Sequence, residues 1–334
     1  MSPTNRRRFL EGGVALAGLG LLTGCNVPLN PWARSPRVYR LGFLGQGTTE
    51  VVAPFLDGFR EGLRELGYVE GQTHTLEIRR AEGRPERLGE LAAELVRAEP
   101  DVLVTGGTEA ISAAMKATTT IPIVFGTSGD PVARGFVVSL ARPGGNVTGI
   151  TQEGGEEPAK RLEFLKEAFP TIARVGVLWT QAVASGYGQT QAAARTLGLQ
   201  VLSLEVRGPD DLDGVLATAA GGAVDGLVVH GAATFSGARA RQILEFASQN
   251  HLPAMYATTE FGQAGGLLTY APNFPAQYRR AATYVDKILK GAKPADLPVQ
   301  QPTAYDFVIN LKTAQAIGLT IPPSVLQQAT EVIQ

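Results

Sequence analysis

The chain is poor in the residues that most often carry chemistry. Cys25 is its only cysteine in 334 residues, so no disulfide framework can form within it. Three histidines, His74, His230 and His251, are too few and too scattered for a His–Cys metal cluster. No Gly-x-Ser-x-Gly elbow and no Gly-Lys-Thr/Ser phosphate loop occurs. Gly45-Gln46-Gly47 begins like a dinucleotide fingerprint, but Glu50 stands where the third glycine belongs. Charge of one sign is missing as well, with 30 Lys and Arg set against 31 Asp and Glu. A near-neutral chain without a basic stripe argues against nucleic acid as a partner. Long apolar runs are also absent: the stretch after Gly12 is Gly-rich and shorter than the roughly 18 residues that span a bilayer. Neither a cofactor nor a metal is expected, and no catalytic residue stands out.

The first residues carry the most specific signal that is present. Arg6, Arg7 and Arg8 precede Phe9-Leu10, an uncharged stretch, and then Leu22-Thr23-Gly24-Cys25. This is the order of an export signal, and the twin arginine is of the Tat kind, which carries folded cargo. Leu22 to Cys25 resembles a bacterial lipobox, so the sequence predicts a signal peptide over 1–24 and a lipid on Cys25. Two acyl chains would tether the protein firmly to the membrane at the periplasmic face of the envelope. Residues 25–37 read as a spacer rich in proline. Removal of 1–24 would take away three arginines and Glu11, moving the formal charge from −1 to −3.

From Val38 onward, short apolar runs alternate with helical patterns, which predicts βαβ units and a mostly parallel sheet. The clearest strands are 40–44, 101–104 and 122–125. The same order returns at 175–178, 225–229 and 252–256, as expected of two similar α/β lobes. A helix over Tyr278–Leu289 follows, with Gly291 and Pro294 as stop signals, then a strand at 307–309 and a helix from Leu311 to Ile317. The expected division is 38–149 plus about 271–296 for the first lobe, and 150–270 plus about 297–334 for the second.

Several segments together resemble a known family. They are Phe59 to Tyr68, Thr120 to Phe125, Asp130-Pro131, Arg142-Pro143-Gly144-Gly145-Asn146-Val147-Thr148-Gly149, and Val308-Ile309-Asn310-Leu311-Lys312. They look like the ABC transporter substrate-binding family whose best-known members bind tryptophan and related aromatic amino acids. The resemblance implies a type I periplasmic-binding-protein fold, with three crossings between lobes and hinge closure over a ligand. It also implies an importer permease and ATPase as partners. The loops around His230 to Thr234 and Ala257 to Glu260 depart from the amino-acid-binding members, so the expected ligand is an amino acid or another small polar or aromatic solute. A sensory lipoprotein on the same fold and an exported hydrolase are the alternatives.

Open α/β sheets bind ligands at the carboxyl ends of their strands, and this names the candidate loops. In the first lobe they supply Gln46, Gly47, Thr48, Gly107, Thr108, Phe125 and Asp130. In the second they supply Trp179, Ser185, Gly186, Tyr187, His230, Thr258 and Glu260. Thr108 and Ser185 sit where helix N-termini offer unpaired N–H groups to an anion, or else they are plain helix caps. Asp130 either receives an ammonium or caps the turn after it, and Glu260 is the freer acid. Phe125, Trp179, Tyr187 and Phe235 either stack on a flat ligand or fill the core. His230 either bonds the ligand or is a satisfied interior histidine.

Overall fold

Apolar runs buried on both faces demand a parallel sheet covered by helices on each side, and the chain builds this arrangement twice. The computed structural model describes residues 37–152 and 155–334. The export signal, the lipidation of Cys25 and the spacer ahead of Arg37 lie outside them. Among the described residues no helix is long and apolar enough to cross a membrane.

The first lobe runs β1 (Tyr39–Gly45), α1 (Thr49–Glu65), β2 (His74–Arg80), α2 (Leu88–Arg97), β3 (Val102–Thr105), α3 (Thr108–Ala117), β4 (Ile123–Phe125) and β5 (Val147–Gly149). Its sheet has the order β2-β1-β3-β4-β5, parallel throughout. The second lobe begins with α4 (Glu157–Ala168), β6 (Arg174–Trp179), α5 (Ala184–Thr196), β7 (Gln200–Glu205), α6 (Leu212–Ala219), β8 (Gly226–Val229), α7 (Ala238–Gln249), β9 (Ala254–Tyr256), α8 (Thr259–Gln263) and β10 (Leu268–Pro272). After α9 (Phe274–Leu289) come β11 (Tyr305–Asn310), α10 (Leu311–Ala316), α11 (Pro323–Leu326) and β12 (Glu331–Ile333). The second sheet has the order β12-β11-β10-β9-β8-β6-β7, antiparallel only where β11 meets β10. Its last five strands, read from the β7 edge, repeat the order of the first sheet, and the three sequence pairs fall on β1 and β6, β3 and β8, and β4 and β9.

The chain passes between the lobes three times, near 150–156, 272–274 and 300–305. On its return α9 packs along α1. Gly58 and Gly62 face the backbone of α9, where a Cβ on either would run into the carbonyl oxygen of Pro275 or Arg279. The residue pattern Gly-x-x-x-Gly thus lets two helices meet backbone to backbone, and Glu65 pairs with Arg279 along the seam. Residues 297–300 then run beside the first sheet, with Val299 N–H donating to the Leu140 carbonyl at 2.7 Å and Gln300 N–H to that of Gly149 at 3.0 Å. Each lobe has its own apolar core on both faces of its sheet.

Candidate functional site

At the carboxyl ends of β6, β8 and β9 the loops into α5, α7 and α8 surround a cavity of about 310 Å³. Two of the interlobe crossings close its side, through Gln152 from the first and Pro272 and Phe274 from the second. Such a volume lies at the small end of the range for small-molecule sites, about 300–1,000 Å³. Phe235, Phe261 and Phe274 give the cavity an aromatic wall, and the first two are almost wholly buried.

The polar groups on the wall are few and deeply set. His230 follows β8 and is 3% exposed. Its Nε2 lies 3.0 Å from Thr190 Oγ1, while that hydroxyl lies 3.1 Å from the Gly186 carbonyl oxygen one turn back in α5. A hydroxyl has one hydrogen. Both contacts are satisfied when Thr190 donates to Gly186 and His230 Nε2–H donates to Thr190, which leaves Nδ1 as a bare acceptor. Burial, and the nearby Arg161 charge, hold the imidazole neutral by lowering its pKa to about 3. Gly186 faces the same ring, where a Cβ would come within 3.2 Å of Nδ1. The glycine therefore keeps the approach to that nitrogen narrow but open.

Arg161 rises from the first turns of α4 into the cavity wall and is 6% exposed. Its Nε donates to the Tyr270 carbonyl oxygen at 2.9 Å. Desolvation lowers its pKa to about 10, with the Glu157 carboxylate opposing, so it is still a cation at neutral pH. Glu157 lines the cavity one turn earlier and is itself buried. Burial first, and Glu157 next, push the Tyr305 hydroxyl above its ordinary value.

The structure brings six of the sequence-derived candidates to this cavity: Ser185, Gly186, His230, Phe235, Thr258 and Glu260. Glu260 also accepts from the Gly237 N–H at 2.9 Å, which fixes the loop ahead of α7. The first-lobe candidates sit at the tips of β1, β3 and β4, away from the cavity wall. Gln46 has a buried Oε1 without a partner, close to Gly107, and Ser128 after β4 has an unpartnered buried hydroxyl. Gly47, Thr48 and Thr108 are partly or fully exposed around them. Gly107 has φ +86°, the left-handed conformation that opens α3 at Thr108. Asp130 Oδ1 accepts from Val132 and Ala133 N–H, each at 2.9 Å, and so caps its own turn. Phe125 is packed in the core, with no exposed surface. Trp179 stacks flat on Tyr187 at 4.3 Å and donates from Nε1 to Ser203 Oγ at 2.9 Å, so this pair forms a platform away from the cavity.

Arg161, Glu157, Gln152 and Phe274 were not among the sequence candidates. Arg161 carried a signal all the same: it falls on the apolar stripe of α4 with Leu162, Leu165 and Ala168, where a solvated arginine has no place.

The family model described as ABC transporter substrate binding protein matches residues 51–333. The tyrosine-binding protein of Clostridioides difficile (strain R20291) is 23% identical over 318 residues, which span 90% of this chain and 89% of that protein. Among solved structures, an ABC domain from Streptococcus pneumoniae in complex with L-Trp is 26% identical with a TM-score of 0.74, covering 89% of this chain and 100% of that one. A conserved domain protein from Vibrio cholerae is 27% identical with the same TM-score of 0.74 and the same coverage.

Proposed function

This chain belongs to the ABC transporter substrate binding protein family, and from that premise we propose that it captures an amino-acid-like solute, aromatic by preference, and delivers it to an importer permease and ATPase. The family binds substrates and carries out no chemistry on them. The observation that carries the reading is the cavity of about 310 Å³ at the strand tips of the second lobe, bordered by two of the interlobe crossings. A ligand seated there touches the segments about which the lobes turn, so its binding energy acts directly on closure. Ser185, Gly186, His230, Thr258 and Glu260 make the contacts of the second lobe. Closure brings Gln46, Gly47, Thr48, Gly107, Thr108 and Asp130 over the ligand from the first. Phe235, Phe261 and Phe274 supply apolar and edge contacts for a ring, which is why the relatives' tyrosine and tryptophan are the first solutes to try. The lipid on Cys25 keeps the protein beside its permease at the outer face of the membrane.

Thermal melting with a panel of amino acids, nucleobases and small carboxylates tests this reading. A true ligand at a hundredfold excess over its dissociation constant adds about 2.7 kcal/mol of stability by mass action. L-Tyr or L-Trp should raise the melting temperature and be recovered unchanged after long incubation. A flat response to every solute, on protein freed of carried-over ligand by denaturation and refolding, would sink the proposal.

A further inference from the structure

Arg161 is the charge that the fold leaves out of balance. Its guanidinium offers five N–H donors, and the Tyr270 carbonyl takes one. Among the described residues no carboxylate reaches ion-pair distance from it, and Glu157 attracts it only from farther away. A buried cation with so little compensation is expensive unless something else meets it. Among the described residues Arg161 is also the only Lys or Arg on the cavity wall. The missing partner is therefore an anion that enters from the cavity. A planar guanidinium fork with free donors matches a carboxylate in particular.

His230 offers the opposite kind of group from the same wall. With Nε2–H committed to Thr190, Nδ1 presents a lone pair beside Gly186. The deeply buried part of the wall thus pairs the cationic donor Arg161 with the neutral acceptor His230 Nδ1, beside buried Glu157, while Glu260 lies at the exposed rim and accepts from the Gly237 N–H. An α-amino acid carries the complementary pair of groups on one carbon.

We propose that Arg161 holds the carboxylate of an α-amino acid and His230 Nδ1 accepts a hydrogen bond from its ammonium, so that the ligand is anchored head-first in the second lobe. This rests on the solute-binding reading above and adds to it the ligand's head group and its two anchors. The side chain then lies along Phe235, Phe261 and Phe274. The second lobe can hold the head group before the first lobe closes.

The test is calorimetry and thermal melting of the full-length protein, with L-Trp, L-Tyr, tryptamine and indole-3-propionate as probes, on wild type, Arg161→Met and Arg161→Lys. Wild type should bind L-Trp or L-Tyr, bind indole-3-propionate more weakly, and fail to bind tryptamine, which lacks the carboxylate. Arg161→Met should melt at or above the wild-type temperature without ligand, because a buried charge has been removed, yet lose about a hundredfold in affinity or more. A purely structural arginine would behave the other way, with lower stability and retained affinity. Should Arg161→Met be too unstable to titrate, Arg161→Lys decides: a loss of tenfold or more with the charge retained supports the fork, and unchanged affinity overturns it. Tryptamine binding wild type as tightly as L-Trp also overturns the assignment, while leaving solute binding intact. Wild type that binds none of the four probes refutes both the assignment and the amino-acid reading.

Discussion

His230 is neutral because the fold will not hydrate a second cation beside Arg161, and that has a measurable consequence for stability. Its folded pKa, about 3, lies below the ordinary value of 6.5. The stabilisation from keeping the ring neutral is fully present above pH 6.5 and is lost progressively as the pH falls toward 3, since the unfolded chain takes up a proton that the folded one refuses. The slope is about 1.4 kcal/mol per pH unit. In urea unfolding at pH 7, 6, 5 and 4, the stability advantage of wild type over His230→Gln should shrink by about that amount per unit below pH 6. Curves that stay parallel would mean that the imidazole titrates normally. Arg161, Glu157 and Glu260 line the same cavity in both proteins. The same scale shows why the candidate site was only half legible. His230, Ser185, Gly186, Thr258 and Glu260 follow from a rule about strand ends, which needs no knowledge of neighbours. Arg161 sits on a helix whose sequence, Glu157-Pro-Ala-Lys-Arg-Leu-Glu-Phe-Leu-Lys-Glu-Ala168, is half charged, so one charge on the buried face is hard to tell from those in solvent. Trp179 illustrates the reverse case, since an aromatic ring at a strand end has the same sequence signature whether it meets a ligand or Tyr187.

At the scale of elements, two of the segments that carry the family resemblance, Arg142 to Gly149 and Val308 to Lys312, turn out to be joints. Asn310 ends β11 and caps α10, accepting from the Thr313 N–H at 3.0 Å. Asn146 donates to the Ile121 carbonyl at 2.8 Å, and Thr148 to that of Leu297 at 2.6 Å, tying β5 to its neighbours. Gly149 closes that segment with φ +153°, where a Cβ would strike the Phe125 carbonyl. The central strands are readable because every residue of β3 and β8 is buried, so both are apolar but for Thr105, whose hydroxyl donates to the Leu44 carbonyl. Edge strands β2 and β7 are not, because an edge strand buries one face and carries charge on the other, as in His74-Thr-Leu-Glu-Ile-Arg-Arg80. α9 starts four residues ahead of the expected Tyr278, since Pro275 hides a first turn that Asn273 caps from outside. Glycine in helices gives the sharpest prediction at this level, because one substitution should act with opposite signs at two positions. Gly62→Ala forces α1 off the Arg279 carbonyl and should cost about 1–3 kcal/mol. Gly188→Ala, in α5 with nothing within 4 Å of its Cβ, should instead stabilise by about 0.5–1 kcal/mol. Chemical denaturation of the two variants decides it, and a neutral Gly62→Ala would mean that the seam between α1 and α9 is loose.

The whole molecule repeats one strand order in two lobes and links them by three crossings, and these crossings are where the proposed closure would act. Crossings one and three run together, with the Thr151 N–H donating to the Gln300 carbonyl at 2.9 Å and residues 150 and 300 forming a parallel bridge. Crossing two ends in Asn273 and Phe274, and Phe274 is also part of the cavity wall. A solute in the cavity therefore touches a crossing without any relay. The proposed polar anchors lie in the second lobe, whereas the unpartnered polar atoms of Gln46 and Ser128 lie at strand tips of the first. Under the proposed binding mode, binding and closure would separate into two steps: the second lobe would take the head group, and the first lobe would gain contacts only on closing. Small-angle scattering should record a lower radius of gyration for wild type with saturating L-Trp or L-Tyr. Gln46→Ala leaves the second-lobe anchors in place, so it should still bind, more weakly, and show a smaller ligand-induced compaction. A wild-type radius that stays constant at proven saturation would show that the lobes do not move, and capture would then be confined to the second lobe alone.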